Sequence, residues 1–222
     1  MNAFKLFENF FSNLTGNYVS EISYMTSMIR TLSVKTPEQF GRLVRPISYS
    51  LKDEKIFQDV VYTYARRKGD CEDFARIYNV ASHIMKLPAY FCILYDDEVG
   101  HAFALSYNSQ YVYVFEIGFI LRFKRSALTY ENPEIMFHEV ISKYIQLFEA
   151  GAFNYTWSPS NIIYTRLNEK LMPIDSESFY KNPMPCYVTK DQYDRINFIG
   201  TYNDFFATIS FSALLLRLLS GR

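Results

Sequence analysis

Phe4, Phe7, Phe11 and Leu14 recur at helical spacing with Phe10 beside them, which predicts an amphipathic helix with an aromatic face at the start of the chain. A second helical stretch runs through about Arg30. Thr36-Pro37-Glu38 reads as a further helix start, with Thr capping and Pro in the first position. From 38 to 68 the helical pattern breaks once, at Arg45-Pro46, and resumes through Phe57, Val60, Val61 and Tyr64. Gly69-Asp70 then interrupts it and a new helix begins. Asp70 is a good N-cap, and Asp73, three residues on, can reach back to the cap backbone as in a capping box. Phe74, Ile77, Tyr78, Ala81, Ile84 and Met85 form the buried stripe of this helix, and Leu87-Pro88 ends it. Cys71 therefore occupies the first turn of a helix whose body is core.

Beyond Pro88 the period changes from helical to alternating. Strands are predicted over 90–95, 101–107 and 110–117, with turns at 96–100 and at Asn108-Ser109. Gly118 permits a bend before 120–123 continues the sheet. A helix followed by an antiparallel meander is an α+β arrangement. Asn132-Pro133-Glu134 opens another helix, with Ile135, Phe137, Val140, Ile141, Tyr144 and Phe148 on its apolar side and Gly151 after its end. Residues 152–203, with prolines at 159, 173, 183 and 185, read as a loop-rich extension carrying short elements, and 205–219 as an apolar helix broken only by Arg217. The chain thus divides into an N-terminal helical segment (1–35), a core (36–125) and a C-terminal extension (126–222).

Composition narrows the function. The 222 residues include 19 Tyr and 20 Phe but only 8 Gly, so the chain packs and makes contacts largely through rings. Lys+Arg and Asp+Glu balance at 23 each, which leaves no basic field for nucleic acid; Arg66-Arg67-Lys68 reads as a solvated helix end. Three cysteines, Cys71, Cys92 and Cys186, show neither metal-like nor disulfide-like spacing, which favours a reducing compartment and permits a lone reactive thiol. Lys5 and Glu8 interrupt the apolar start, so no secretory signal is read there. No uncharged run reaches the ~20 residues of a spanning helix.

A thiol nucleophile needs its anion, a basic partner and a group that orients that partner. Cys71 at a helix N-terminus feels the positive end of the helix dipole, which lowers a thiol pKa; this offsets Asp70 and Glu72, whose side chains can turn to solvent, caps or a cation. His101, opening a strand beside Ala102 and Ala104, is the candidate base, and Glu116 on the following strand the candidate orienter. With a two-residue turn at Asn108-Ser109, His101 lies directly opposite Glu116 on one face, whereas an odd turn would separate them. Each residue alone also has a structural reading: a helix-start Cys, a satisfied strand His, a sheet-edge Glu. His83 and His138 read as structural or exposed, Cys92 as a small packing residue, and Cys186 has no visible histidine partner.

Gly69-Asp70-Cys71-Glu72-Asp73-Phe74-Ala75 resembles the nucleophile motif of the transglutaminase-like cysteine peptidase superfamily, particularly its bacterial and phage members. Gly100-His101-Ala102-Phe103-Ala104 is similar to that family's histidine strand, which often carries Trp where Phe103 stands. The family's third member is usually Asp about fifteen residues after the His, where this chain has Glu116. The resemblance covers roughly 36–123. It implies a papain-like α+β core, a nucleophile helix packed on an antiparallel sheet, and acyl transfer at an amide. In that chemistry Cys71 attacks, His101 shuttles the proton, Glu116 holds the imidazole tautomer and the Cys71 N–H helps to stabilise the oxyanion. Acids flanking the nucleophile bind calcium in bacterial periplasmic members, so Asp70 and Glu72 are the implied calcium ligands, with capping as their alternative role. No other cofactor is implied. Those relatives carry export signals, which are not read here.

Two functions follow. The first is a thiol-dependent peptidase, amidase or transglutaminase acting on a protein or peptide. The second is a structural or assembly component, such as a phage virion-associated protein with a vestigial site, that meets other subunits through apolar helices at both ends. A cytoplasmic or virion-associated location suits either. Lys and Arg are sparse on both terminal segments, which argues against anionic-membrane contact.

Overall fold

The computed structural model describes residues 18–50, 58–95, 100–117, 119–125, 140, 161–173 and 197–201. The helices expected at 4–14 and 205–219, with His138 and Cys186, lie outside the described residues, as does the helix expected at 132–151 apart from Val140, which is helical and buried.

Helix α1 (Tyr18–Thr31) buries Glu21 and Met25. Thr36-Pro37-Glu38 does start a helical turn, but a 3-10 turn, Pro37–Gln39, in which Thr36 is extended and makes no side-chain cap bond. The short α2 (Gly41–Val44) follows. The helical pattern expected to resume after Pro46 instead gives an extended pair, β1 (Ser48–Tyr49), before α3 (Val60–Arg66). Asp59 caps α3 by accepting the Tyr62 N–H at 2.7 Å, and Arg67 ends it in the left-handed region at φ 53. Arg66, Arg67 and Lys68 are exposed, a solvated helix end. Strand β2 (Lys68–Gly69) pairs in parallel with β1, and α4 (Cys71–Ile84) begins immediately after it.

The sheet is antiparallel throughout: β3 (Ala89–Tyr95), β4 (Gly100–Tyr107), β5 (Tyr111–Phe115) and β6 (Phe119–Lys124) form a meander. β7 (Asn161–Arg166) joins beside β3 and β8 (Asn197–Thr201) beside β6, giving the order β7-β3-β4-β5-β6-β8. The protein is therefore α+β, with α4 laid on one face of an antiparallel sheet. The segment read as a loop-rich extension supplies both edge strands.

Alternation decides what α4 touches. Phe91, Ile93, Ala102, Ala104, Tyr113 and Phe115 share a core with Phe74, Ile77, Tyr78 and Ala81 of the helix. The two alanines let the helix approach β4 closely. Phe115 is the aromatic centre: the rings of Tyr78 (5.1 Å), Phe40 (5.2 Å) and Tyr113 (5.9 Å) stack against it. The body of α4 is further held by a buried ion pair. Arg76 donates through Nε and Nη2 to Glu21 of α1 and through Nη1 to the Leu171 carbonyl at 2.7 Å, while Glu21 also accepts the Val60 N–H at 3.1 Å. Three separate segments are tied to the middle of α4 in this way.

Candidate active site

The start of α4 is built before its thiol can be placed. Gly69 is required by close approach: a Cβ there would stand 2.9 Å from the Asp73 Cβ and 3.1 Å from the Thr63 Cγ2. The predicted capping box is present. Asp73 Oδ2 accepts the Asp70 N–H at 3.1 Å, and the Asp70 carboxyl accepts the Asp73 N–H. Asp73 Oδ1 takes the Gln58 N–H at 3.2 Å, so this buried carboxylate ties the preceding segment to the helix start. Cys71 is thus held in the first helical position.

The surroundings of Cys71 differ from those expected. Its Sγ–H is donated to Glu72 Oε2 at 3.0 Å, and its sulfur lies against the Ala102 backbone N–H. Burial, followed by the charge of Glu72 and the hydrogen bond to it, pushes the thiol well above its ordinary pKa; the Ala102 N–H works the other way. Asp70 is hydrogen-bonded to Glu72 as well, and burial together with Glu72 and Asp73 raises its pKa to about 9. The flanking acids do not turn away to solvent. Glu72 accepts from the thiol, and burial plus negative charge outweigh the helix dipole. Cys71 rests as a protonated thiol.

On β4 and β5 the hairpin turns one residue later than expected. Asn108 pairs with Tyr111 (N–H to O, 2.9 Å), Tyr107 lies opposite Val112, and the turn is Ser109-Gln110, with Asn108 Oδ1 accepting the Gln110 and Tyr111 N–H groups at 2.8 Å each. The turn remains two residues long, so facing is kept while register moves by two. Continued past Ala104↔Phe115, this register sets Glu116 opposite Phe103 and makes His101 its diagonal neighbour, not its direct partner. A diagonal separation is within reach of a long side chain. Glu116 spans it, and both its oxygens stand 3.0 Å from His101 Nε2, with both residues buried. Since Nε2–H is donated to Glu116, the lone pair able to take a proton is on Nδ1.

The structure therefore brings His101 and Glu116 together, and brings Cys71 to the peptide that follows His101. It does not join the thiol to the imidazole by a hydrogen bond: the thiol proton is committed to Glu72. Alternation explains this, because Ala102 and Ala104 face α4, while His101 shares the parity of Phe103, Leu94 and Cys92.

Asp70 and Glu72 are adjacent, yet among the described residues no group of three His, Cys, Asp or Glu side chains is arranged to hold a metal ion. The third acid of the helix start, Asp73, has both carboxylate oxygens occupied by backbone N–H groups. Cys92 is fully buried on the face opposite α4, and His83 pairs with the Tyr18 hydroxyl at 3.1 Å. One residue was missed in the sequence. The half-buried Tyr49 of β1 comes from a segment that read as helical; it lies opposite Gly69, its ring meets Phe74 edge-on at 6.4 Å, and the charges of Cys71, Asp70 and Glu72 act on its hydroxyl.

Comparison with family models, curated proteins and solved structures finds no match to this chain. No helix among the described residues is long and apolar enough to cross a membrane.

Proposed function

We propose that the chain is a thiol-dependent acyl-transfer enzyme acting on peptide or side-chain amides, with a papain-like, transglutaminase-like core around Cys71, His101 and Glu116. The observation that carries this reading is the buried His101–Glu116 pair, whose carboxylate fixes the imidazole tautomer, one peptide away from a thiol at a helix N-terminus. In this role Cys71 Sγ leaves Glu72 and attacks the amide carbonyl. Because alternation puts His101 on the other face of β4, the proton has to reach the imidazole round the strand's exposed first residue, Gly100. The thiol proton passes to Nδ1 and from there to the leaving amine. Water or a second amine then takes the acyl group from sulfur, giving hydrolysis or transamidation. The amide substrate is a protein or peptide, and no cofactor is needed for these steps.

The hydrogen bond from Sγ to Glu72 favours a second reading, an assembly component whose thiol is retained in an idle state. In that reading the terminal apolar segments meet neighbouring subunits. The two readings part in a labelling experiment with iodoacetamide, followed by mass spectrometry over a pH series. Acyl-transfer chemistry requires Cys71 to react faster than Cys186, and His101→Ala to slow Cys71 alone. Equal reaction of Cys71 and Cys186, indifferent to His101→Ala, leaves the assembly reading.

A further inference from the structure

Acyl transfer at Cys71 needs two donors for the oxygen that becomes negative, and the groups around the thiol supply one of them. The Cys71 backbone N–H lies in the first turn of α4, where it has no intrahelical acceptor. His101 Nε2–H is given to Glu116, and the Ala102 N–H faces the sulfur itself. The second donor has to come from another element.

β1 is placed to provide it. Its register sets Tyr49 opposite Gly69, two residues ahead of the nucleophile, and the Ser50 N–H bonds to the Gly69 carbonyl at 2.9 Å, so β1 is fastened to the strand that leads into α4. The Tyr49 ring meets Phe74 edge-on at 6.4 Å. Phe74 lies three residues after Cys71 and therefore on the same side of the helix. The ring is half-buried, and no hydrogen bond links its hydroxyl to another described residue. We propose that Tyr49 is a catalytic residue of this site, its hydroxyl donating to the carbonyl oxygen of the bound amide together with the Cys71 N–H. This inference rests on the acyl-transfer reading. Burial, and then the nearby Cys71, Asp70, Glu72 and Glu116, hold the proton on the Tyr49 oxygen, so the group remains a donor throughout the working pH range. In the covalent step the Sγ–C bond forms and the thiol proton moves to His101 Nδ1. The carbonyl π pair moves onto oxygen, where Tyr49 O–H and Cys71 N–H meet it; collapse of that oxyanion expels the leaving group.

Two probes separate this role from a structural one. Acylation of Cys71 by p-nitrophenyl acetate passes through a tetrahedral oxyanion, whereas alkylation by iodoacetamide is a displacement at carbon that forms none. Tyr49→Phe is expected to slow acylation of Cys71 about 100-fold, the usual effect of losing one such donor, while leaving alkylation unchanged. Unchanged acylation overturns the proposal. So does an equal loss with both probes, which would make Tyr49 a support of the thiol or of the fold. The parent reading fails differently: wild-type Cys71 is then acylated no faster than Cys186, and the role of Tyr49 falls with it.

Discussion

At Cys71 two influences of opposite sign act on one sulfur. The helix N-terminus stabilises a thiolate by about 0.3–1 kcal/mol, up to ~2 kcal/mol when partly buried. Full burial displaces a pKa by up to 3–5 units, each unit being about 1.4 kcal/mol. Here burial and Glu72 act in the same direction, so the thiol form wins. Removing the charge of Glu72 should shift that balance. Glu72→Gln is expected to lower the Cys71 pKa and to raise iodoacetamide labelling of Cys71 at pH 7 several-fold. An unaltered pH–rate profile would assign the raised pKa to burial alone. Asp70 makes a second, thermodynamic prediction. Its folded pKa, about 9, lies far above the ordinary carboxylate value, so the folded protein binds this proton more tightly than the unfolded chain does. Stability from this group is complete below the unfolded value and is lost as pH rises towards the folded one. Asp70→Asn keeps the cap but cannot ionise. Its advantage in urea unfolding over the wild type should therefore widen from pH 5 to pH 8, whereas a gap constant with pH would refute the shift.

Among the elements, α4 depends on a partner that no local pattern announces. Glu21 and Arg76 are both buried, 55 positions apart, and their pairing also engages the Val60 N–H and the Leu171 carbonyl. Removing one member leaves an uncompensated charge, which costs about 3–5 kcal/mol, whereas replacing both by apolar side chains is often neutral or stabilising. Glu21→Leu should thus lose most of that range in chemical denaturation, and the Glu21→Leu/Arg76→Leu double variant should recover it. A double variant as unstable as the single one would show that the bonds to Val60 and Leu171 carry the stability. Such a pair is illegible in sequence because a charged residue on an otherwise amphipathic helix reads as surface until its counter-charge is placed in space. The β4–β5 hairpin was partly legible. Its alternation gave the strands and the shared face of His101 and Glu116. The register followed from Asn108, whose side chain caps the turn in place of forming part of it.

Over the whole molecule, the sheet closes only when distant segments arrive. β3, which carries Cys92, is flanked by β4 and β7, so its backbone is paired on both sides, and Cys92 has no exposed surface. Cys92 should therefore react with a thiol reagent only through global unfolding. Its labelling free energy, read across a urea series, should equal the unfolding free energy measured spectroscopically. A lower value would reveal local opening of β7 away from the sheet.

The sequence by itself determined the helix that begins at Cys71, its Asp70–Asp73 cap, the four-strand meander and the common face of His101 and Glu116. These depend on neighbours a few residues apart, and periodicity records such neighbours directly. Tertiary structure alone decided that Glu72 holds the Cys71 proton, that Tyr49 pairs opposite Gly69 and meets Phe74, that Glu21 neutralises Arg76, and that β7 and β8 complete the sheet. Each of these rests on burial or on contact between remote segments. Those two quantities set the sign of a charge interaction and the state of a thiol, and neither has a period along the chain.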